Sequence, residues 1–369
     1  MITAIGLMSG TSCDGVDASI IKTDGVKKVE FIDNYYHPYE KKFRFRLKEL
    51  KEKINQFSDI KKYRPDIDTL ERELTLIHVK TVELLRKKLG SENKKIELVG
   101  FHGQTIFHSF KDKKSIQIGD GKLLSQLLNQ NVVYNFRKKD ISNGGQGAPL
   151  TPVFHQLLKN YLDFDFPVAF INIGGIANIT YLNNQKILSF DTGPGNFLID
   201  SIIQIKTKNE IQFDNNGDLA FKGTVDKNIL ETYLDDPFFS NSPPKSLDVN
   251  DFNISAIRTL KLEDAVATFS EFTVQSIIRS LNFLDPLPKK IILCGGGRKN
   301  KFIFERLQKL VKKIEIQKID KYKNIDGDFI ESQAFAYLAV RTLKKIPITF
   351  PETTGVAEPL VGGDLVLAK

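Results

Sequence analysis

Two kinds of hydrophobic pattern alternate along the chain. Short continuous apolar runs bounded by glycine read as buried strands, and stretches with an apolar residue every third or fourth position read as helices. The first half accordingly carries expected strands at 2–7, 16–21, 29–36, 96–101, 115–118 and 132–134, and helices at 41–57, 67–89, 121–129 and 150–162. In the long helix Leu70, Leu74, Ile77, Thr81 and Leu84 share one face, as core packing requires. Beyond Pro167, strands are expected at 168–173, 178–182, 186–190, 290–294 and 314–319, and helices at 195–205, 225–234, 262–284, 301–311 and 329–344. The stretch 237–252 is too long for an idle connection.

One sentence is written twice in this pattern: strand, glycine-rich turn, strand, strand, first from residue 2 and again from residue 168. A repeat at about half the chain length predicts an internally duplicated protein. At 369 residues the chain also exceeds what a single core supports. The expected division is a first lobe at 1–163, a second at 164–345, and a tail at 346–369 that packs back on the lobes.

The two turns differ in chemistry. The first, Met8-Ser9-Gly10-Thr11-Ser12-Cys13-Asp14-Gly15, imitates a P-loop, but Val16 and Asp17 stand where Lys and Ser/Thr belong, so the Walker reading fails. Backbone N–H donors remain, with hydroxyls from Ser9, Thr11 and Ser12 and carboxylates from Asp14 and Asp17. Acids beside a phosphate make sense only with Mg²⁺, or its waters, between them; a plain hairpin with polar turn residues is the alternative. In the second turn Gly174 and Gly175 permit positive φ and put no Cβ between backbone and ligand. The strand that follows delivers Asp191 into Thr192-Gly193-Pro194-Gly195-Asn196. Asp191 is then either a catalytic carboxylate or the cap of the helix beginning near Gly195.

Three further segments carry candidate chemistry. His102-Gly103-Gln104-Thr105 reads as a polar loop after a buried strand, a common ligand position in α/β proteins; His102 and His108 lack the spacing of a metal pair. Asn135-Phe136-Arg137, Asp140 and the glycine-rich run 144–150 offer Arg137 and Gln146 as donors. Arg137 suits a carboxylate or phosphate, or the loop is a hinge with Arg137 paired to Asp140. Strand 290–294 opens into Gly295-Gly296-Gly297-Arg298-Lys299-Asn300 and a helix, bare backbone that can admit a nucleotide's sugar or base. Asn300 holds the third glycine position of GxGxxG, so a dinucleotide reading is unsupported.

Composition narrows the class. With 41% hydrophobic and 27% charged residues the chain is globular, and no apolar run approaches the roughly 18 residues of a membrane span. The N-terminus lacks a basic signal-peptide region. Cys13 and Cys294 form neither a disulfide framework nor a zinc motif, and a cytoplasmic location is expected. The net charge of +8 comes from lysines spread over amphipathic patterns, without any nucleic-acid-binding signature, so nucleic acid is not an expected partner.

Duplicated hairpins, two acids and a Gly-Gly-Gly element resemble the actin–hexokinase–acetate kinase superfamily. More narrowly, GLMSGTSCDGVD at 6–17, FHGQT at 101–105, GGQGAPLTP at 144–152, NIGGIANIT at 172–180, FDTGPGN at 190–196, CGGGRKN at 294–300, ESQAFAYLA at 331–339 and TTGV at 353–356 are similar to the anhydro-N-acetylmuramic acid kinase family. The resemblance implies an α/β, duplicated ribonuclease H-like fold with mixed sheets flanked by helices and an interlobe cleft. It implies conversion of 1,6-anhydro-N-acetylmuramic acid, ATP and water to N-acetylmuramic acid 6-phosphate and ADP, in peptidoglycan recycling and amino-sugar catabolism. Asp191 would be the general base on water. Gly10, Thr11, Ser12, Cys13, Asp14, Gly15, Val16 and Asp17 would hold ATP phosphates with Mg²⁺, no side chain being assigned as a direct metal ligand. Gly295, Gly296, Gly297 and Asn300 would take the adenosine side. Arg137, Asp140, Gln146 and Asn178 would contact the sugar, the lactyl carboxylate being the natural partner of Arg137. The resemblance further implies a homodimer and no membrane partner. A kinase for another sugar or carboxylate, or a non-catalytic ATP-dependent clamp, are the alternatives. Two departures stand out. The family usually has Asp-Phe-Arg where this chain has Asn135-Phe136-Arg137, and its Pro-Pro-Lys-Ser-Thr-Gly-Arg-Glu run is here Pro243-Pro244-Lys245-Ser246 followed by Leu247-Asp248-Val249-Asn250.

Overall fold

The computed structural model describes residues 1–90, 95–109, 112–247, 251–252, 254–322 and 324–368. Asp248, Val249 and Asn250 of the altered run therefore lie outside the described residues. The strands in chain order are β1 (Ile2–Ser9), β2 (Gly15–Thr23), β3 (Val29–Pro38), β4 (Leu98–Ser109), β5 (Lys114–Ile118), β6 (Asn131–Tyr134), β7 (Val168–Ile173), β8 (Ile176–Leu182), β9 (Ile187–Pro194), β10 (Lys290–Cys294), β11 (Glu315–Lys318) and β12 (Asp364–Val366). They build two sheets in two compact units, Met1–Asp163 with Asp328–Lys369, and Phe164–Gly327.

The duplication expected from the repeated hairpin is present as topology. The first sheet runs β3-β2-β1-β4-β6, with β12 beyond β6 and β5 on β4; the second runs β9-β8-β7-β10-β11. In each, three consecutive antiparallel strands are followed by two parallel ones. The leading strands β1 and β7 are apolar almost throughout, because helices cover the faces of a sheet at its parallel strands.

In the first unit, Leu47 and Leu50 of the helix Lys41–Lys53, and Leu70, Leu74, Val82 and Leu85 of Arg64–Lys88, pack with Ile5, Leu7, Val16, Ile20 and Val99 of the sheet. The helix Ile330–Leu343 also packs on β1, β2 and β4. Gly6 and Gly100 are register partners on β1 and β4, and their missing side chains make room for this helix. A Cβ on Gly6 would lie 1.8 Å from the Ser332 carbonyl oxygen, and one on Gly100 2.2 Å from that of Phe335. Beside them the hydroxyls of Ser19 and Ser332 are 2.6 Å apart. The sequence expectation that the second lobe runs to 345 is thus corrected: the helix expected at 329–344 belongs to the first unit, and its run of small and apolar residues is what a close helix–sheet contact needs.

In the second unit Ile171, Ile179 and Phe190 of the sheet pack with Ile199, Ile202 and Ile203 of Phe197–Lys206 and with Phe269, Phe272 and Ile277 of Leu262–Ser280. No described helix is long and apolar enough to cross a membrane.

Candidate active site

The first unit holds two of the expected clusters. The tip of its hairpin is shorter than the sequence suggested, because Gly15, Val16 and Asp17 already belong to β2. Val16 is fully buried in the core, so its side chain packs rather than meets a nucleotide. Thr11 and Ser12 are exposed at the tip, where the Ser12 hydroxyl donates to Asp14 Oδ1 at 2.6 Å. Cys13 takes φ +51 and is buried; burial pushes its thiol up, against the lowering pull of Lys51, whose Nζ lies 3.5 Å from Sγ. Gly15 is required by space rather than by φ, since a Cβ there would sit 2.5 Å from the Tyr36 ring.

What fixes this tip is Gln104. The segment 102–105, expected as a loop, lies inside β4, and Gln104 is fully buried. Its Nε2 donates to the Gly10 carbonyl at 3.1 Å, and its Oε1 accepts from the Ser9 hydroxyl at 2.6 Å. Ser9 is in turn 2.6 Å from the Tyr39 hydroxyl, and the Tyr39 N–H donates to Asp14 O. A buried, bonded network of this kind holds one geometry.

Arg137 and Asp140 meet at Gly147. The Asp140 carboxylate is fully buried, accepting from Gly147 N–H at 2.7 Å and from the Thr354 hydroxyl at 2.6 Å. Arg137 Nη1 donates to Gly147 O at 2.6 Å, and its Nε donates to His102 Nε2 at 3.2 Å. The His102 ring therefore carries its proton on Nδ1, toward Gly103 O at 2.8 Å. Burial and then the neighbouring Arg137 charge hold it neutral, well below the usual histidine range. One expectation changes here: Arg137 binds the Gly147 carbonyl and His102 rather than Asp140, whose carboxylate braces the glycine loop and the 351–354 turn. Gln146 is buried and its N–H donates to Thr354 O at 2.8 Å.

The second unit places its candidates on one line across four strands. Cys294, Asn172, Asn178 and Asp191 are successive register partners on β10, β7, β8 and β9, so their side chains share a face. The row lies toward the C-terminal ends of the parallel strands, the usual ligand edge of such sheets. Asp191 is a strand residue rather than part of a loop beyond it, and it does not cap the helix; Asn196 occupies that position. Its carboxylate is 8% exposed, with Oδ2 accepting from the Leu247 N–H at 2.9 Å, while its own N–H donates to Lys245 O at 2.9 Å. Beside it, Asn178 Oδ1 is buried without a hydrogen-bond partner.

Gly174 and Gly175 differ from expectation, since neither takes positive φ. Their carbonyls accept from the N–H groups of Gly195, Asn196 and Phe197, which ties the β7–β8 turn to the start of the next helix. At 295–297 two glycines are forced by the protein. Gly295 has φ +73, and a Cβ there would lie 2.3 Å from Asn172 Oδ1; one on Gly297 would lie 2.3 Å from Ile173 Cγ2. A Cβ on Gly296 would meet nothing within 4 Å, so its bare backbone faces open space. Arg298, nearly fully buried, pins this turn by donating to Gly295 O at 3.0 Å and through two bonds of 2.6 and 2.8 Å to the Asp320 carboxylate. Asn300, expected on the nucleotide, caps the helix Lys301–Leu310 by accepting from Ile303 N–H at 3.2 Å.

Sequence reasoning missed Gln104, Arg298 with Asp320, and Lys245 as supports. Lys245 is 7% exposed; its ammonium donates to Phe238 O at 2.8 Å and lies over the rings of Phe283, Phe238 and Phe190 at 4.4, 4.5 and 5.9 Å. Burial lowers its pKa to about 8. Lone lysines in loops carry no spacing signal, so only the unusual Pro-Pro-Lys context marked it.

A duplicated mixed sheet of this order, with a braced glycine hairpin in one unit and a polar row beside a glycine turn in the other, is the duplicated α/β architecture expected from the repeated hairpin. The profile of the anhydro-N-acetylmuramic acid kinase family matches residues 2–367. The anhydro-N-acetylmuramic acid kinase of Pelagibacter ubique is 47% identical over 99% of this chain and 98% of its own, and that of Zymomonas mobilis 40% identical over 98% of both. The chain belongs to the anhydro-N-acetylmuramic acid kinase family and is a phosphotransferase. Among solved structures, a ROK family glucokinase from Streptomyces griseus in complex with glucose and AMPPNP aligns over 91% of this chain and 99% of its own, with 10% identity and a TM-score of 0.42. An activator of the 2-hydroxyisocaproyl-CoA dehydratase from Clostridium difficile with bound ADPNP covers 93% of this chain and 96% of its own, with 12% identity and a TM-score of 0.43.

Proposed function

We propose that the enzyme opens the 1,6-anhydro ring of anhydro-N-acetylmuramic acid with water while transferring the γ-phosphoryl group of ATP to the released 6-oxygen. Asp191 removes a proton from water, whose oxygen bonds to the anomeric carbon. The bond from that carbon to the bridging oxygen breaks, and the 6-oxygen takes the phosphoryl group where a glycosidase would give it a proton. The products are N-acetylmuramic acid 6-phosphate and ADP.

The observation that carries this reading is the anchored carboxylate of Asp191 beside the buried, unpartnered carbonyl of Asn178. A buried acceptor without a protein donor costs about 1–3 kcal/mol, and a sugar hydroxyl, amide or water would supply the donor. Arg137 and Gln146 remain the proposed contacts to the sugar's carboxylate and polar groups. The hairpin tip, residues 10–14, offers backbone N–H groups and hydroxyls to phosphate oxygens, and Gly296 leaves room for adenosine. Among the described residues no three His, Cys, Asp or Glu side chains cluster as a metal site. Asp14 and Asp17 instead suit an ion that keeps its waters and draws most ligands from phosphates, as Mg²⁺ does. Mg²⁺ there would neutralise phosphate charge.

Two measurements test the reading. Asp191→Asn is expected to keep ATP binding while turnover falls by about 10²-fold or more. Reaction in heavy-oxygen water is expected to label the anomeric carbon. Wild-type turnover in the variant, or label only on phosphate, overturns the assignment.

A further inference from the structure

The strand that carries Asp191 is held from the opposite side by one short segment, 245–247. Asp191 N–H donates to Lys245 O, and Leu247 N–H donates to Asp191 Oδ2, both at 2.9 Å. The segment thus grips the residue by its backbone and by its carboxylate, with Ser246 between. Nothing in a three-residue loop is rigid by itself. Leu247 is buried in the core at one end, and at the other the Lys245 side chain fastens the segment by reaching back to the carbonyls of Phe238 and Phe239 at 2.8 and 3.4 Å. These two carbonyls belong to the 3₁₀ turn Pro237–Ser240, itself capped by Asp236, whose carboxylate accepts from Phe238 N–H at 2.8 Å. Three phenylalanine rings enclose the ammonium, and one of them, Phe190, is Asp191's neighbour on the strand. A desolvated ammonium is attracted to the aromatic faces around it, and a buried cation tolerates few alternative geometries.

We propose that Lys245 is a positioning residue for the reaction: its caged ammonium locks the 245–247 segment, and that segment sets the aim of the Asp191 carboxylate. The proposal rests on the reading of Asp191 as the base. Lys245 itself touches no reacting atom. Its function is orientational, so its loss should slow the chemical step without weakening either substrate.

The test is a double-mutant cycle on the full-length enzyme, with wild type, Asp191→Asn, Lys245→Met and the double variant compared in kcat, in KM for both substrates and in thermal midpoint. Methionine keeps an unbranched, flexible side chain, one atom shorter, and removes the charge and the donors. Lys245→Met is expected to lower kcat by about 10-fold or more with both KM values within about 3-fold of wild type, the split that marks lost transition-state organisation. The double variant is expected to turn over within about 2-fold of Asp191→Asn alone, because two residues acting through one step do not add. Losses that multiply would show a general structural effect and overturn the positioning role while leaving the base intact. Wild-type kcat in Lys245→Met overturns it as well. Wild-type turnover in Asp191→Asn defeats the underlying reading, a different and separately visible failure. If Lys245→Met yields no folded protein, Phe283→Leu, which opens one wall of the cage and leaves the carbonyl contacts, carries the same cycle with the same outcomes.

Discussion

Asn135 stands where the family's usual aspartate is missing, and its surroundings say what restoring the carboxylate would do. Asn135 takes φ +55, a left-handed conformation that asparagine tolerates better than most residues. Its Nδ2 donates to Asp364 Oδ2 on β12 at 3.0 Å. In Asn135→Asp that donor becomes a second carboxylate at hydrogen-bond distance from the first. Two unit charges at such a distance repel by about 1.4 kcal/mol at the dielectric of water and about 5.5 kcal/mol at an effective value of 20. The Asp364 side chain is 34% exposed and Lys139 Nζ lies 3.8 Å from its other oxygen, so the lower end applies. Adding about 1 kcal/mol for the lost hydrogen bond puts the cost at roughly 2 kcal/mol, or a fall of roughly 4–8 °C in the midpoint of a unit near 200 residues. Calorimetry on wild type, Asn135→Asp, Asp364→Asn and the double variant at pH 7.5 measures it. The penalty should shrink in high salt and vanish in the Asp364→Asn background, where the introduced carboxylate would accept from the new amide. An equal loss with and without Asp364, or none at all, would refute the reasoning and return Asn135 to a backbone or ligand role.

Two other predictions concern the scaffold. Gly6→Ala forces a methyl against the backbone of Ser332; since that neighbour cannot rotate away, the cost should reach about 3 kcal/mol or more, seen as a large drop in thermal midpoint, and a midpoint within 2 °C of wild type contradicts the packing. His78 is fully buried beside Phe101, its Nε2 has no partner, and burial lowers its pKa to about 4. Its folded value lies below the unfolded one of about 6.5; the neutral ring's contribution is therefore fully present above that pH and is lost as pH falls toward 4, by about 3 kcal/mol at pH 4. His155 and His108, lowered by burial to about 3 and about 4, act in the same direction. His78→Phe should shrink the urea-midpoint difference between pH 7 and pH 4.5, and an unchanged difference would exclude His78 from the acid limb.

How much of this was legible beforehand depends on the range over which each feature is encoded. The repeated hairpin was readable because strand periodicity and glycine punctuation are local; the order of the strands in each sheet was not read from the sequence. Asp191 stood out for the same reason: an acid between a buried apolar run and two glycines is a short-range anomaly. Its setting was not readable. The residue that anchors its carboxylate is Leu247, 56 positions away, through a backbone N–H that has no residue-type signature. Gln104 reaches Gly10 across 94 positions and Thr354 reaches Asp140 across 214, so the bracing partners of neither side chain had a local signature. The helix Ile330–Leu343 is legible nearly to its ends, but its lobe is not, because chain order does not say which sheet a helix returns to. Gly6 and Gly100 were the missing clue. Two strand glycines with no turn to make require something to approach the sheet closely, and Ser332–Ala339, with Ala334, Ala336 and Ala339, is rich enough in small residues to do so. Pairing unexplained strand glycines with small-residue helices is therefore a rule the sequence could have supplied, whereas the supports of Asp191 and of the hairpin tip become visible only once the chain is folded.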